Sequence, residues 1–393
     1  MKSRRIRHQE AMRRHITRTS HAALLVLCLL LESCGGGGGS DSHGGPQPDS
    51  NPGLPATVSV APVNTGDGWA VSTPTAEDMD STAVLSTLQA IRDGSFPGVD
   101  ALVVVRHGRL VAEGYFNGYG PETLHDLRST GKSFTSAMAG IAIEQGLFQL
   151  DDPIASLIPQ FESHSNMDSR KRAITLRNLL DMRSGLECND WDSASRGNEE
   201  RMYQSRDWVG FILDLPMITD PGAHASYCTG GVIVLGQIIA WRSGMTLDAY
   251  AAAYLFGPLG IQQSTWRRAP DGSATGGGGL KLRPRDAARL GQLYLNGGTW
   301  NGARVVPADW VARSRESVTR LGSDGYGLLW WKRSFFHAGG NVDSFFTSGN
   351  GGNFIFVFPA LDLVAMFTGS NYDSSRGDQP FDIVAYSLLP AVR

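Results

Sequence analysis

The stretch Arg128-Ser129-Thr130-Gly131-Lys132-Ser133-Phe134-Thr135-Ser136 places a serine three residues before a lysine, at the start of an apolar run that extends to Leu147. Small and apolar residues recur in this run at helical spacing, so we predict a helix whose first turn carries Ser129 and Lys132 on one face. A serine hydroxyl alone is a poor nucleophile, whereas a neutral lysine amine at hydrogen-bonding distance can accept its proton. The stretch therefore predicts a nucleophilic serine at a helix start.

The rarity of lysine strengthens this interpretation. After Lys2 the only lysines are Lys132, Lys171, Lys281 and Lys332, and only Lys132 follows a serine by three positions. The alternative is a coincidence of two common residue types on a polar helix start, and so few lysines make that coincidence uncommon.

The composition is that of an enzyme-sized globular protein. The 393 residues are 41% hydrophobic, which is enough to bury a large core. Seven basic and two acidic residues lie in positions 1–34, and the rest of the chain has 28 basic against 36 acidic residues. Because this body is acidic, we expect no binding to nucleic acid.

The amino terminus has the pattern of an export signal. A basic region precedes an apolar run, Ala22–Leu31, that is too short for a permanent membrane span. The run ends in Leu31-Glu32-Ser33-Cys34, which resembles a bacterial lipoprotein box. We predict a signal peptide over residues 1–34, lipidation of Cys34 and an anchor on the periplasmic face of a bacterial membrane. The alternative is an ordinary signal that releases the protein into the periplasm. Residues 35–65, rich in Gly, Ser and Pro, should form a flexible tether.

Cysteine usage agrees with export. Cys28 and Cys34 lie in the signal, which leaves Cys188 and Cys228 as the pair available in an oxidising compartment. We predict that these two form a disulfide bond; two separate buried thiols are the alternative. The nine histidines show no metal-ligand spacing, so we expect no metal and no cofactor.

The order of predicted elements indicates an α+β fold. A helix near 77–93 and a β-hairpin over 101–116 precede the Ser129 helix, helical patterns dominate residues 151–299, and short strands return from 326 to 367 before a closing helix near 380–389. We predict a hydrolase domain over residues 66–393. It should contain an antiparallel sheet flanked by helices (66–150 and 300–393) with an inserted all-helical subdomain (151–299). Gly276–Gly279 should be a flexible rim of the active site, since no phosphate-loop context surrounds it.

Four further sequence segments follow the Ser-x-x-Lys pair along the chain. They are residues 174–186 (ITLRNLLDMRSGL), 221–238 (PGAHASYCTGGVIVLGQI), 276–295 (GGGGLKLRPRDAARLGQLYL) and 345–371. Together they resemble the serine β-lactamase and penicillin-binding-protein superfamily over about residues 69–393. Within it they resemble most the class C-like esterases and the 6-aminohexanoate-dimer hydrolases. The resemblance implies a β-lactamase/transpeptidase-like fold.

The resemblance also implies roles for three side chains. Ser129 matches the acylated nucleophile and Lys132 its proton acceptor. Tyr227 matches the tyrosine that relays a proton to the leaving group and activates the deacylating water. A core aromatic ahead of an apolar helix is the alternative interpretation of Tyr227.

Two departures from the β-lactamase pattern bear on the substrate. Thr229 stands where the superfamily commonly has Asn, and a hydroxyl cannot reproduce an amide's donors and acceptor. Thr347-Ser348-Gly349 replaces Lys-Thr-Gly, so no cation is present there to bind a substrate carboxylate. The backbone N–H groups of Asn350 and Ser129 should form the oxyanion hole, although the turn at 350–353 permits a register shift.

These inferences predict an exported serine hydrolase that cleaves a small ester or linear amide through a Ser129 acyl-enzyme. Thr229, Ser348 and Gly349 are candidate substrate contacts. Asp181, Trp330 and Trp331 are interpreted as structural first and as substrate contacts second. The alternatives are a DD-peptidase or weak β-lactamase, and a non-catalytic surface lipoprotein that uses the same fold to bind a ligand. We expect contact with the membrane only through the N-terminal lipid.

Overall fold

The computed structural model describes residue 51 and residues 53–393. The predicted signal peptide, Cys34 and most of the predicted tether lie outside the described residues. Within the carboxyl-terminal part of the predicted tether, Thr57–Ser59 form a strand, β1, that pairs antiparallel with residues 113–115. Val58 packs against the apolar core beneath this strand, which explains why the segment is ordered.

The amino-terminal part supplies four of the ten strands of the large sheet. After β1 come β2 (Ala70–Val71), α1 (Ser81–Arg92), β3 (Val99–Arg106) and β4 (Arg109–Tyr115). Helix α1 begins where predicted because the Asp80 carboxylate accepts hydrogen bonds from the backbone N–H groups of Thr82 and Ala83. The β3–β4 hairpin turns at His107 and Gly108, which both have positive φ angles, as a two-residue hairpin turn requires.

The middle of the chain is mainly helical, as predicted, but three short strands interrupt it. The elements in chain order are β5 (His125–Asp126), α2 (Gly131–Glu144), α3 (Ser169–Arg172), α4 (Leu176–Leu180), α5 (Glu199–Tyr203), α6 (Trp208–Leu213), α7 (Thr229–Ser243), α8 (Leu247–Ala251), α9 (Gly257–Leu259), β6 (Thr265–Trp266), β7 (Leu280–Leu282) and α10 (Pro284–Leu295). Strands β5, β7 and β6 form a small sheet. Strands of two or three residues show too little alternation to be detected in the sequence.

The carboxyl-terminal part returns to strands. It contains β8 (Thr299–Trp300), β9 (Ala303–Arg304), α11 (Ala308–Ser314), β10 (Thr319–Leu321), β11 (Asp324–Tyr326), β12 (Trp331–His337), β13 (Gly340–Gly349), β14 (Asn353–Phe358), β15 (Leu363–Gly369) and α12 (Gln379–Ile383). Helix α12 continues through tighter and wider turns to Ala391, so the predicted closing helix is present but irregular.

The large sheet joins the two ends of the described chain. Its strand order is β1-β4-β3-β15-β14-β13-β12-β11-β10, and β2 pairs with β4. The pairing of β15 with β3 is antiparallel and unites the early and late strands. The described chain therefore has the predicted α+β architecture, with an antiparallel sheet flanked by helices.

Helices cover both faces of the central strands. Along β3, Val103 and Val105 belong to the core that contains α2 and α10, whereas Leu102 and Val104 belong to the opposite core beside α1 and α12. Both faces are buried, so the central strands are apolar at successive positions. Helix α2 thus lies inside the larger core, and its amino-terminal end carries the candidate nucleophile.

Candidate active site

The turn Arg128–Thr130, here called the nucleophile turn, leads directly into α2. Arg128 has a φ angle of +51°, an uncommon conformation for a residue with a side chain. The Asp126 carboxylate accepts a hydrogen bond of 2.8 Å from the Arg128 backbone N–H. The Arg128 guanidinium lies 4.3 Å from the ring centroid of Tyr372. These contacts hold a strained residue immediately before Ser129, which is typical of functional sites.

Ser129 and Lys132 meet as the helical spacing predicts. The Nζ atom of Lys132 donates a hydrogen bond of 2.8 Å to Oγ of Ser129 and one of 2.6 Å to the carbonyl oxygen of Gly277. Only 2% of Lys132 is exposed. This amine is thus enclosed beside the hydroxyl, and in its neutral form it can accept the hydroxyl proton.

The glycine cluster at 276–279 has a different role from the predicted flexible rim. Gly277 is buried, and its carbonyl orients Lys132. A Cβ atom at Gly277 would lie 2.8 Å from side-chain atoms of both Thr229 and Ile233. Glycine is therefore needed here so that the loop can approach α7 closely enough for its carbonyl to reach Lys132.

Tyr227 lies against the same lysine. The Nζ atom of Lys132 is 5.1 Å from the centroid of the Tyr227 ring, within the range of a cation–π interaction. The ring is 8% exposed and stacks on Trp191 and Trp331. The structure thus brings together Ser129, Lys132 and Tyr227, the three predicted catalytic residues.

The third predicted element reaches the nucleophile turn from β13. A Cβ atom at Gly349 would lie 2.3 Å from the Leu127 carbonyl oxygen and 3.1 Å from the Thr130 nitrogen, so only glycine permits this approach. The Thr130 hydroxyl lies 3.1 Å from the Thr347 hydroxyl and donates to the Asn353 carbonyl oxygen at 2.8 Å. Thr347 is fully buried. Side-chain contacts thus fix the strand against the turn.

The structure defines the register of the hairpin after Gly349, which the sequence left open. Gly349 pairs with Asn353, and residues 350–352 form the turn between them. The Asn350 side chain turns to Asp373, with Nδ2 donating to its carboxylate at 2.8 Å and Oδ1 accepting from its backbone at 3.0 Å. Ser348 remains partly exposed on the strand. The oxyanion hole formed by the Ser129 and Asn350 backbone N–H groups stays a prediction.

Of the two neighbouring tryptophans, only Trp331 lies near the site. Trp330 is fully buried against Tyr294 and Phe345, so it cannot contact a substrate. The predicted strand through both residues is interrupted, because Leu329 has a φ angle of +63° and the chain changes direction there. Trp331, the first residue of β12, stacks on Tyr227 at 6.0 Å between ring centroids.

Asp181 and Thr229 are enclosed rather than open to a substrate. Asp181 is fully buried, and its carboxylate accepts hydrogen bonds from Arg183. Burial raises the pKa of Asp181, while Arg183 opposes that rise. Thr229 is 1% exposed and begins α7. The structural interpretation of Asp181 therefore holds, and the substrate-contact interpretation of both residues is not supported.

Asp190 is a site residue that the sequence analysis did not identify. Its carboxylate accepts hydrogen bonds from the first backbone N–H groups of two helices, 2.6 Å from Thr229 in α7 and 3.0 Å from Glu199 in α5. Burial raises its pKa to about 6, the charge of Glu199 adds to the rise, and the charge of Lys132 opposes it. Asp190 thus joins two helix starts within electrostatic range of Lys132.

A disulfide bond between Cys188 and Cys228 connects the Asp190 segment to the Tyr227 segment. The Asp190 backbone N–H donates to the Tyr227 carbonyl oxygen at 2.8 Å, and the Ser226 hydroxyl donates to the Cys188 carbonyl oxygen at 2.6 Å. The predicted pairing of the two cysteines was the signal that could have revealed Asp190. This disulfide places the residues that follow Cys188 beside the residues that precede Cys228.

Within residues 53–393, no cluster of three or more His, Cys, Asp or Glu side chains has the arrangement of a metal site. In the same part of the chain, no helix combines the length and the apolar character needed to cross a bilayer.

Comparisons with known proteins agree with the fold described above. The chain is 26% identical over 255 residues to the 6-aminohexanoate-dimer hydrolase of Paenarthrobacter ureafaciens; the alignment covers 59% of this chain and 64% of that enzyme. A proposed 6-aminohexanoate-dimer hydrolase from Bacillus anthracis superposes with a TM-score of 0.66 at 21% identity, covering 84% of this chain and 90% of that one. A class C β-lactamase from Rhodobacter sphaeroides superposes with a TM-score of 0.58 at 17% identity, covering 77% and 99%.

The sequence model of the Beta-lactamase family matches residues 77–385. This range contains Ser129, Lys132, Tyr227 and the strand that ends at Gly349. It also contains the β3–β15 pairing that closes the sheet. Since the match spans most of the chain, the protein belongs to the Beta-lactamase family, within the superfamily of serine β-lactamases and penicillin-binding proteins.

Proposed function

We propose that this protein is an exported serine hydrolase that cleaves a small carboxylic ester or linear amide through an acyl-enzyme on Ser129. The observation that carries the proposal is the 2.8 Å contact between the Lys132 amine and the Ser129 hydroxyl, in a site where the lysine is almost fully enclosed. A surface that only binds a ligand has no chemical need for an enclosed lysine beside a serine.

In the acylation step, Oγ of Ser129 attacks the substrate carbonyl carbon, and its proton passes to the neutral Lys132 amine. The carbonyl oxygen gains negative charge, which the backbone N–H groups of Ser129 and Asn350 would stabilise. The bond to the leaving group then breaks, and the alcohol or amine departs with a proton supplied through Tyr227 and Lys132.

In the deacylation step, water attacks the ester formed on Ser129. Tyr227 and Lys132 accept the proton of the water, and Ser129 departs as a hydroxyl that regains a proton from the same pair. The products are the free carboxylic acid and the regenerated enzyme. The contact of Lys132 with the Tyr227 ring supports this shared role, because it keeps the two relay groups next to each other.

Strand β13, beside Ser129, favours a substrate that lacks the carboxylate which the Lys-Thr-Gly element binds in β-lactamases. Thr347 occupies the place of the lysine and is fully buried, with its hydroxyl accepting a hydrogen bond from the Ile355 backbone. The similarity to a 6-aminohexanoate-dimer hydrolase also supports a small acyclic substrate. These two observations favour an ester or a linear amide over a β-lactam.

Export is proposed from the basic and apolar pattern of residues 1–34, with Cys34 as the lipidated residue. The Cys188–Cys228 disulfide supports this proposal, because such bonds persist in oxidising compartments. Expression in a Gram-negative host with radiolabelled palmitate, followed by membrane fractionation, tests it. We expect label on the wild type and none on Cys34→Ala; label on neither would show that Cys34 is not lipidated.

Intact mass spectrometry tests the proposed chemistry. The purified protein is incubated with short-chain esters, linear amides and penicillin, and the mass added to the chain is recorded. We expect an acyl adduct from esters or amides that is absent from Ser129→Ala. A stable adduct from penicillin alone would instead identify a DD-peptidase or weak β-lactamase. Absence of any adduct and any turnover in a folded sample would favour a non-catalytic binding protein.

A further inference from the structure

Trp191 is an exposed tryptophan that lies against a catalytic residue. It is 59% exposed, yet its ring is nearly parallel to that of Tyr227, at 4°, with 5.5 Å between the ring centroids. Trp191 and Trp331 are 6.4 Å apart at 25°. We call these three rings the aromatic wall. A large apolar ring left in water forgoes the stabilisation that burial would give, so this exposure favours a binding role.

The segment that carries Trp191 is held from several directions. The Trp191 backbone N–H donates to the Asn189 side chain at 3.0 Å. The preceding residue, Asp190, is bonded to Tyr227 and Thr229 through its backbone and carboxylate. The disulfide at Cys188 adds a covalent connection. Because the segment is already ordered, a ligand that contacts Trp191 would lose little free energy in immobilising it.

The opposite end of the aromatic wall is anchored in the large sheet. Trp331 pairs across strands with Phe346 of β13, the strand that ends at Gly349. Its ring also packs edge-to-face on Tyr326, with 4.7 Å between centroids. The three rings of the aromatic wall contact one another, so the wall connects the disulfide-linked segment to the large sheet.

We propose that the aromatic wall binds a flat aromatic group on the leaving-group side of the substrate, so that Trp191 determines specificity for esters or amides of aryl-bearing alcohols or amines. The inference rests on the proposed function, in which Tyr227 passes a proton to the leaving group. Because the Trp191 and Tyr227 rings are in contact, we expect a leaving group that receives a proton from Tyr227 to lie close to the Trp191 ring, where offset stacking is favourable.

The test compares 2-phenylethyl acetate with ethyl acetate, whose leaving alcohols differ by a phenyl ring that is not conjugated to the ester. In Trp191→Ala, kcat/KM for 2-phenylethyl acetate should fall about 10-fold more than kcat/KM for ethyl acetate, the scale expected from lost stacking and apolar contact. Trp191→Phe should retain part of the preference. Trp241→Ala is the matched control, because Trp241 is also exposed but lies near the far end of α7.

Equal losses for the two acetates in Trp191→Ala would overturn the inference. So would a loss confined to ethyl 3-phenylpropanoate, whose ring is on the acyl side. Binding of 2-phenylethanol to Ser129→Ala, followed by ligand-observed NMR, separates this inference from the proposed function. If the wild type cleaves no ester or amide but this binding weakens about 10-fold in Ser129→Ala/Trp191→Ala, the proposed hydrolysis fails and the aromatic site stands. Unchanged binding there would reject the site.

Discussion

The Nζ atom of Lys132 lies between two oxygen atoms, Oγ of Ser129 at 2.8 Å and the Gly277 carbonyl at 2.6 Å. One contact joins the lysine to the nucleophile, and the other fixes its direction from a loop that is distant in sequence. The position of the amine beside the Ser129 hydroxyl is thus fixed by two hydrogen bonds, as the proposed proton transfer requires.

Replacing Lys132 should remove activity without unfolding the protein. We expect kcat/KM to fall about 10³-fold in Lys132→Met, which lacks a base, and also in Lys132→Arg, because a guanidinium does not lose its proton in proteins. Ester hydrolysis, with circular dichroism as the check on folding, measures the effect.

Lys171 provides a matched control, since it is another buried lysine outside the site. It is 1% exposed, and its Nζ atom donates to the carbonyl oxygens of Ser165 and Leu213 at 2.7 Å each. Lys171→Met should lower the melting temperature but leave kcat/KM of the folded protein close to wild type. Equal activity losses in Lys171→Met and Lys132→Met would argue that Lys132 is only structural.

Gly349→Ala should separate the strand from the nucleophile turn. The added Cβ atom would meet the Leu127 carbonyl oxygen at 2.3 Å, so β13 must shift away from Ser129. Misplacement of catalytic groups by about 1 Å can cost about 100-fold in rate, and we expect a loss of kcat on that scale.

Gly340 is the control for this substitution, at the opposite end of the same strand. A Cβ atom there meets nothing within 4 Å. Gly340→Ala should leave kcat unchanged and alter the melting temperature only slightly. If Gly349→Ala retained full activity, the strand end would not contribute to the oxyanion site.

Asp190 should make stability depend on pH in a particular direction. Its pKa is about 6 in the folded protein, against an ordinary aspartate pKa of 3.8. Between these values the folded protein binds a proton that the unfolded chain does not, so this group lowers the free energy of unfolding as pH rises from about 4 to 6. Between pH 4.5 and 7.5 the expected change is about 2 kcal/mol.

Asp190→Asn removes this titration but also disrupts the bonds to the starts of α5 and α7. The variant should be less stable than the wild type, and its deficit should be about 2 kcal/mol smaller at pH 7.5 than at pH 4.5. Urea unfolding of both proteins at the two pH values measures the difference. A deficit independent of pH would contradict the assignment.

Removing the disulfide should affect both stability and catalysis. Cys188 and Cys228 are 40 positions apart, and closing a loop of that size stabilises a protein by about 4 kcal/mol in the chain-entropy model. Cys188→Ser/Cys228→Ser should unfold at lower urea concentration. Its kcat should also fall, because the bond adjoins Tyr227. Wild type treated with reductant should behave like the double variant, and insensitivity to reductant would contradict the prediction.

Features encoded in contiguous sequence were predicted correctly. The helix after Ser129 follows from apolar spacing, and the β3–β4 hairpin follows from two apolar runs around His107-Gly108. The α+β fold and the family are confirmed by the superposed structures and the family match.

Features that depend on distant contacts were missed. The Gly277 carbonyl reaches Lys132 across 145 positions, and no local pattern marks a backbone oxygen as a ligand. Trp330 and Trp331 are adjacent residues of the same type, so the local sequence does not distinguish them. The change in chain direction at Leu329, which has a positive φ angle, determines which of them is buried in the core. No local pattern distinguishes Asp190 from other loop carboxylates, because its neighbours are defined only once Cys188 and Cys228 are joined.

The hydrogen bond between Thr130 and Asn353 spans 223 positions of sequence. During synthesis, Ser129 and Lys132 leave the ribosome long before the strands that complete the site. A nascent chain would hold the proposed nucleophile without the strand end that we propose stabilises the substrate carbonyl oxygen. We therefore expect activity only after β13–β15 have paired with β3. Proteolytic cleavage within these last strands should abolish activity even though Ser129 remains intact.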